Sequence, residues 1–299
     1  MVKGNTESLL GLRDGEDLGI IAIKPEGRDQ VANLVEVHKK DVRQQGLVSG
    51  GETQEEINQT MSMLINKFPR VFQGLGRARV NPIHIKVDHK VKPIQQKPRP
   101  IAIHYAQKFK DHIAELKAAG VVSGPLGSEY ASGWISNPVI VCKKWDPSKV
   151  RVTLDTRHME SAVKTSHFPI PTWQELSHNF SGSDRFSVLD MNHAFHQFPM
   201  DEESRKLFVF HTPIGLHTYN TLVMGTAPAS SECHENIRII LEGLAGVQQI
   251  KDDLIVHGVG KEHDIRLEEV LKRLEEYGIT LREEKCQFRV QEVVWYDIL

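Results

Sequence analysis

An α+β fold is predicted for this chain, and three patterns predict it. From residue 181 to the C-terminus, strand-like and helix-like segments follow one another as β–α–β–β–α–β. That is the order of a split βαβ unit, in which two helices cover one face of an antiparallel sheet and leave the other open. Within it, Asp252-Asp253 interrupts the β-branched-rich stretch Gln248 to His257. Asp is depleted from strands, so the pair reads as a tight hairpin tip. Phe186 to Met191 forms a second short apolar strand, and it too ends on a carboxylate, Asp190.

The remaining elements follow in chain order. Residues 1 to about 52 show weak periodicity, with Ser49-Gly50-Gly51 a linker. Thr53 is placed to cap a first helix and Glu56 to complete its capping box, with Ile57, Met61, Leu64 and Phe68 on one face before Pro69 ends it. The Lys- and Pro-rich stretch 77–104 runs extended, because Pro93, Pro98 and Pro100 are incompatible with a helix interior. A second helix spans roughly Tyr105 to Ala119, with Phe109, Ile113 and Leu116 inward and Gly120 as its stop. Trp134 to Cys142 and Val150 to Leu154 pair around the turn Trp145 to Ser148. Pro171 and Thr172 open a short helix containing Trp173 and Leu176. Leu207 to Phe210 and His217 to Leu222 flank a turn at Pro213 to Gly215 as further β structure. Pro228 starts a helix carrying Cys233, Ile237, Ile240 and Leu244 at helical spacing. The last helix covers about Glu262 to Tyr277, with Leu267, Leu271 and Leu274 inward and Gly278 beyond its end. Val293 to Leu299 closes the chain as its final strand.

At 39% hydrophobic and 25% charged residues, the composition is that of a soluble globular protein. The sequence contains no apolar run long enough to cross a bilayer, and Met1 to Thr6 does not open a signal peptide. An intracellular location without membrane contact is expected. The 3 cysteines, Cys142, Cys233 and Cys286, are widely spaced, which suits a reducing compartment and matches no zinc motif. Net charge is −2, but 15 of the 37 Lys and Arg and only 6 of the 39 Asp and Glu fall between Arg77 and Arg157. A basic segment beside an acidic half suits a nucleic-acid partner, though a solvated basic face has the same composition.

Two carboxylates forced together repel, and a divalent cation relieves that repulsion. Asp190, Asp252 and Asp253 on neighbouring strand ends are what a two-metal phosphoryl-transfer site needs. Alone, an Asp-Asp pair is solvated turn punctuation. His193 and His196 have a metal-like spacing, but on a strand or irregular segment they point to different faces and are read as non-ligands. His234 and His263 read as packing or surface residues.

Six ordered blocks lift these features above punctuation. They are Ser136-Asn137-Pro138-Val139 with Lys143-Lys144; Arg151 to Arg157; His167 to Pro171; Phe186 to Gln197; Leu222 to Gly225 with Ala227-Pro228; and the Asp252-Asp253 hairpin. Together they resemble the reverse transcriptase region of a gypsy-class LTR retrotransposon Pol polyprotein, over about residues 80–299. The resemblance implies right-hand polymerase fingers and palm, the palm being a split βαβ (ferredoxin-like) antiparallel sheet with helices on one face. It implies RNA-directed DNA polymerase activity on a primed RNA or DNA template with dNTPs. Asp190, Asp252 and Asp253 match the catalytic, metal-holding carboxylates, with Mg²⁺ as cofactor and Mn²⁺ as its alternative. Lys144 and Arg151 match triphosphate contacts, Phe195 the steric gate against a ribose 2′-hydroxyl, and Met224-Gly225 the nucleotide-pocket wall.

The implied organisation is a protease-tail remnant at 1–22, a linker and helical lead-in at 23–92, and the reverse transcriptase region at 93–299. Fingers would take about 93–180 and 206–224, and palm about 181–205 and 225–299, ending before a thumb, RNase H or integrase. No Asp-Thr-Gly or Asp-Ser-Gly triplet is present, so protease activity is not expected.

The sequence departs from the family pattern at several places. Ile250 stands where the family usually has Tyr, Lys251 adjoins the carboxylates, and Glu160 replaces the usual Asn. The loop between Gly225 and Ala227 is short, and Asp297 takes the place of a Gly. Two other functions fit the acidic cluster: a degenerate or co-opted fragment that binds nucleic acid without polymerising, and a metal nuclease. The nuclease leaves Lys144, Arg151 and Phe195 without a role.

Overall fold

The computed structural model describes residues 54–127, 129–130, 133–143, 146–164, 179–250, 253–291 and 293. The chain divides into Met1–Thr60 and Met61–Leu299. The expected cap at Thr53, the helix with Trp173 and Leu176, and the segment before residue 54 all lie outside the described residues.

Helix α1 runs Gln54–Lys67 and α2 runs Ile103–Ala118, burying Phe109, Ile113 and Leu116. After α2, Gly120 adopts φ 71°. Its N–H reaches the Lys117 carbonyl at 3.0 Å, and that of Val121 reaches Leu116 at 2.9 Å. This is the paired closure of a Schellman motif, and the positive φ is why a glycine ends the helix there. Short strands β1 (Val122–Ser123) and β2 (Ile135–Ser136) follow. Then comes the hairpin β3 (Pro138–Lys143) with β4 (Asp146–Leu154). Two single-turn helices, α3 (Arg157–Glu160) and α4 (Glu202–Arg205), flank β5 (Arg185–Asp190). Strands β6 (Val209–Thr212) and β7 (Gly215–Tyr219) precede α5 (Ala227–Ile240). The chain continues through β8 (Val247–Ile250), β9 (Asp253–Gly258), α6 (Lys261–Tyr277) and β10 (Gln287–Val290).

These strands build two four-stranded sheets, ordered β1-β7-β6-β2 and β10-β5-β9-β8, beside the separate β3–β4 hairpin. The second is the split βαβ sheet. Its neighbours are all antiparallel, with β5 and β9 central. Leu189 and Leu254 pair across it, and both are wholly buried. Leu267, Val270, Leu271 and Leu274 of α6 are buried as well, and α6 packs on β9 and β5. Alternate residues face the other way. On that face Val188 opposes Ile255 and Phe186 opposes His257. Ile255 is packed by Phe180, Phe186, Val188 and Val293 on this face.

Three expectations are corrected. α5 ends at Ile240, and Leu244 lies in the turn that follows rather than on its face. Leu207 and Phe208 form a 3₁₀ turn, and the strand begins at Val209. The sheet's closing strand is Gln287–Val290, whereas Val293 is not in a strand and 294–299 lie outside the described residues. Gln-Phe-Arg-Val has no apolar run to betray it. It pairs because β5 offers an open edge and the Ser187 hydroxyl accepts from the Arg289 N–H at 3.0 Å.

A buried polar chain ties this sheet to α6. Ser187 Oγ lies 3.0 Å from His263 Nε2, and His263 Nδ1 lies 3.0 Å from Asp264 Oδ1. Arg289 Nε approaches that same carboxylate oxygen at 3.3 Å. The order Ser–His–Asp imitates a hydrolase triad, but Ser187 and His263 are both 0% exposed and no substrate reaches them. Their role is to fix β5, α6 and β10 together.

Burial holds His196 and His257 neutral, each lowered to about 4. A depressed histidine contributes stability that is complete above its unfolded value near 6.5 and is lost as pH falls towards 4. The expected outcome is a loss on the order of 2 kcal/mol for each of the two histidines between pH 7 and pH 5, read from urea unfolding midpoints. His257→Phe should remove its own share and leave that of His196.

Candidate active site

The register of β5 against β9 makes Asp190 the direct partner of Asp253. Direct partners in an antiparallel pair carry Cβ atoms about 5 Å apart on one face. Ile250 of β8 pairs with Asp253, so only residues 251 and 252 connect the two strands. That is the expected tight hairpin, with one adjustment: Asp253 is the first residue of β9 rather than part of the tip. Asp252 and Lys251 lie outside the described residues.

Among the described residues, a cation reaches Asp190 from a distant segment. Lys285 Nζ stands 3.4 Å from Asp190 Oδ2, with the lysine side chain 53% exposed and the aspartate 26%. Lys285 belongs to a 3₁₀ turn, Glu283–Lys285, docked on the end of β5. The Arg282 N–H donates to the Asp190 carbonyl at 2.8 Å, and its guanidinium donates to Asn192 Oδ1 at 3.1 Å. Next to Lys285, burial pushes the Cys286 thiol up to about 12, and the charges of Asp190 and Asp253 act in the same direction. That thiol stays protonated beside the carboxylates. No local pattern marks Lys285 or Cys286 in the sequence, since the contact spans 95 positions.

After Asp190 the chain turns sharply. His193 takes the left-handed conformation at φ 51° and precedes the 3₁₀ turn Ala194–Gln197. The rings of His193 and His196 stack at 5.8 Å with planes 8° apart. Their predicted divergence is therefore corrected: three residues make one 3₁₀ turn, so positions i and i+3 eclipse. Phe195 is buried to 6% exposure within that turn. Gln197, wholly buried, donates to the carbonyls of Asn192 and Thr280 at 2.8 Å and accepts from the Thr280 N–H at 2.7 Å. These bonds pin the turn against the segment after α6.

The other residues of the predicted nucleotide set lie on the β3–β4 hairpin and on the loop before α5. Arg151 is exposed on β4, opposite Val141. Lys144 lies outside the described residues. Met224 and Gly225 form a turn ahead of α5, and the Thr153 hydroxyl donates to the Met224 carbonyl at 2.7 Å. Below the hairpin, Asn137 is buried and accepts from the Arg99 N–H at 3.0 Å while donating to Gln96 Oε1 and the Lys97 carbonyl. The Arg157 guanidinium, hydrogen-bonded to the buried Asp155, holds that carboxyl below the usual range, with Arg99 adding its charge at 3.2 Å. Lys97, Arg99 and His158 line a basic groove beside Asn137.

This assembly, a helix-backed antiparallel sheet with paired carboxylates at its end and a basic hairpin above, is the fingers and palm of a right-hand polymerase. A solved structure of the foamy viral protease-reverse transcriptase dRH in complex with ds DNA matches at a TM-score of 0.72 and 19% identity, over 88% of this chain and 45% of that one. The native Prototype Foamy Virus protease-reverse transcriptase matches at 0.69 and 19% identity, over 91% and 36%. Residues 142–296, more than half the chain, match the family "Reverse transcriptase (RNA-dependent DNA polymerase)", and the chain belongs to that family.

Relatives include the uncharacterized protein K02A2.6 of Caenorhabditis elegans, 29% identical over 83% of this chain and 19% of that protein. The retrovirus-related Pol polyprotein from transposon 412 of Drosophila melanogaster is 30% identical over 57% and 14%. The chain thus spans less than a fifth of the length of either relative.

The carboxylate set fits a magnesium centre in its chemistry. Asp190 and Asp253 offer hard oxygen donors from one face, and a site with few carboxylates leaves coordination positions for water and phosphate oxygens. Lys285 competes for the same charge. Lys285→Gln should tighten Mn²⁺ binding about two- to fivefold, the span of a half-exposed ion pair, in a titration followed by electron paramagnetic resonance. An unchanged affinity would remove Lys285 from the site.

Proposed function

We propose that this chain forms the fingers and palm of an RNA-directed DNA polymerase from a gypsy-class LTR retrotransposon, acting inside the cell. It would extend a primer 3′-hydroxyl with dNTPs along an RNA or DNA template. The observation that carries this reading is the direct opposition of Asp190 and Asp253 on the two central strands of the family's sheet.

Each candidate residue takes a role in this reading. Asp190, Asp252 and Asp253 would hold Mg²⁺, which when bound lowers the pKa of the primer hydroxyl and neutralises charge on the leaving pyrophosphate. Arg151, exposed on its strand, would grip the triphosphate with a planar fork, and Lys144 would add a point charge. Phe195, rigid in its 3₁₀ turn five residues after Asp190, would exclude a ribose 2′-hydroxyl. Met224 and Gly225 would bound the nucleotide. The fingers' basic groove suits a phosphodiester backbone.

A second reading is favoured by one contact. Lys285 against Asp190 offsets part of the site's negative charge without metal, which suits a co-opted fragment that binds nucleic acid without polymerising. Primer extension on oligo(dT)-primed poly(rA) with Mg²⁺ separates the two. The polymerase reading expects extension that Asp190→Asn and Asp252→Asn reduce roughly a hundredfold or more, with a smaller loss for Asp253→Asn. Template binding without extension, indifferent to those substitutions, would establish the second.

A further inference from the structure

We propose that Thr153 is a positioning residue for the nucleotide pocket: its hydroxyl clamps the Met224–Gly225 wall to the fingers strand that carries Arg151. The inference rests on the polymerase reading above and adds a residue to it. Thr153 Oγ1 donates to the Met224 carbonyl oxygen at 2.7 Å, across 71 positions of sequence. One partner lies on β4, and the other in the turn between β7 and α5.

The contact is close on both sides of that carbonyl. Gly225 follows it at φ 80°, and a Cβ built there would stand 3.3 Å from the Thr153 oxygen. The hydroxyl therefore sits against the wall's backbone rather than reaching it through a long side chain. Two further bonds hold the loop's backbone. Thr226 Oγ1 donates to the Val223 carbonyl at 2.9 Å, and the Leu222 N–H donates to Phe198 at 3.0 Å. One residue along β4, the buried Tyr219 hydroxyl makes a longer donation of 3.4 Å to the Val152 carbonyl. Thr153 thus supplies the short polar tie between strand and wall.

Strand periodicity gives that tie its consequence. Residues two apart share a face, so Thr153 and Arg151 project together, while Val150, Val152 and Leu154 are buried on the opposite face. The arginine proposed for the triphosphate and the wall proposed to bound the nucleotide are therefore indexed to one strand.

Thr153→Val removes the hydroxyl with little change in volume, and Thr153→Ser retains it. In primer extension by the full chain, Thr153→Val is expected to raise KM for dNTP roughly fivefold with kcat within about twofold, as loss of one part-buried hydrogen bond would do. Thr153→Ser returns KM to within about twofold of the unmodified chain. Amide exchange at Gly225 and Thr226 quickens several-fold in Thr153→Val and not in Thr153→Ser. Unchanged KM and exchange in the valine variant, or failure of serine to rescue, overturns the clamp. If the unmodified chain extends no primer, the polymerase reading falls by itself. The exchange comparison then decides: faster exchange in the valine variant supports the clamp, and unchanged exchange overturns it.

Discussion

The antiparallel register between β5 and β9 is the constraint on which the site depends. A slip of one residue would send Asp190 to the helix-packed face and Leu189 to the other. The register is held because it sets Leu189 against Leu254 beneath α6, where both are fully buried. It also places two carboxylates opposite each other, a local disadvantage of a few tenths to about 1 kcal/mol for like charges so paired. Burial of the surrounding aliphatic residues, at about 25 cal/mol for each Å² removed from water, outweighs it. The sheet therefore stores an electrostatic tension at one end that a cation relieves.

Rigidity around that tension comes from distant parts of the chain. Ser187, His263, Asp264 and Arg289 join β5, α6 and β10 by polar contacts of 3.0 to 3.3 Å. Gln197 locks the turn beyond Asp190 to Thr280 with bonds in both directions. Each polar group in these links is costly if left without its partner, so the links favour one arrangement of strand ends over slightly shifted ones. Positioning carboxylates for phosphoryl transfer needs this kind of fixity, because misplacement on the scale of 1 Å is enough to spoil the geometry.

The basic residues divide into structural and accessible ones. Arg289 is buried and serves the sheet. Arg99 and Arg157 share Asp155, so their guanidinium planes are oriented while their outer faces remain in water. Arg151 stands on the exposed face of its hairpin. Lys97 and Arg99 of the extended segment line a groove with His158.

Much of this was readable from residue order. Periodicity placed α2, α5 and α6, and Gly120 and Gly278 marked two helix ends, because these signals are local and each helix buries one stripe. The hairpin at Asp252-Asp253 and the strand ending on Asp190 followed from apolar runs broken by carboxylates. Other features were invisible. Strand β10 has no apolar run and takes the edge that β5 offers. The 3₁₀ turn that stacks His193 on His196 depends on a left-handed residue that composition does not announce. Sequence alone determined which side chains are available for phosphate and metal chemistry, and which elements carry them. Tertiary structure alone decided that Asp190 faces Asp253, that Lys285 guards it and that Thr153 grips Met224. Those contacts join residues tens of positions apart, and only the burial of a shared core brings them together.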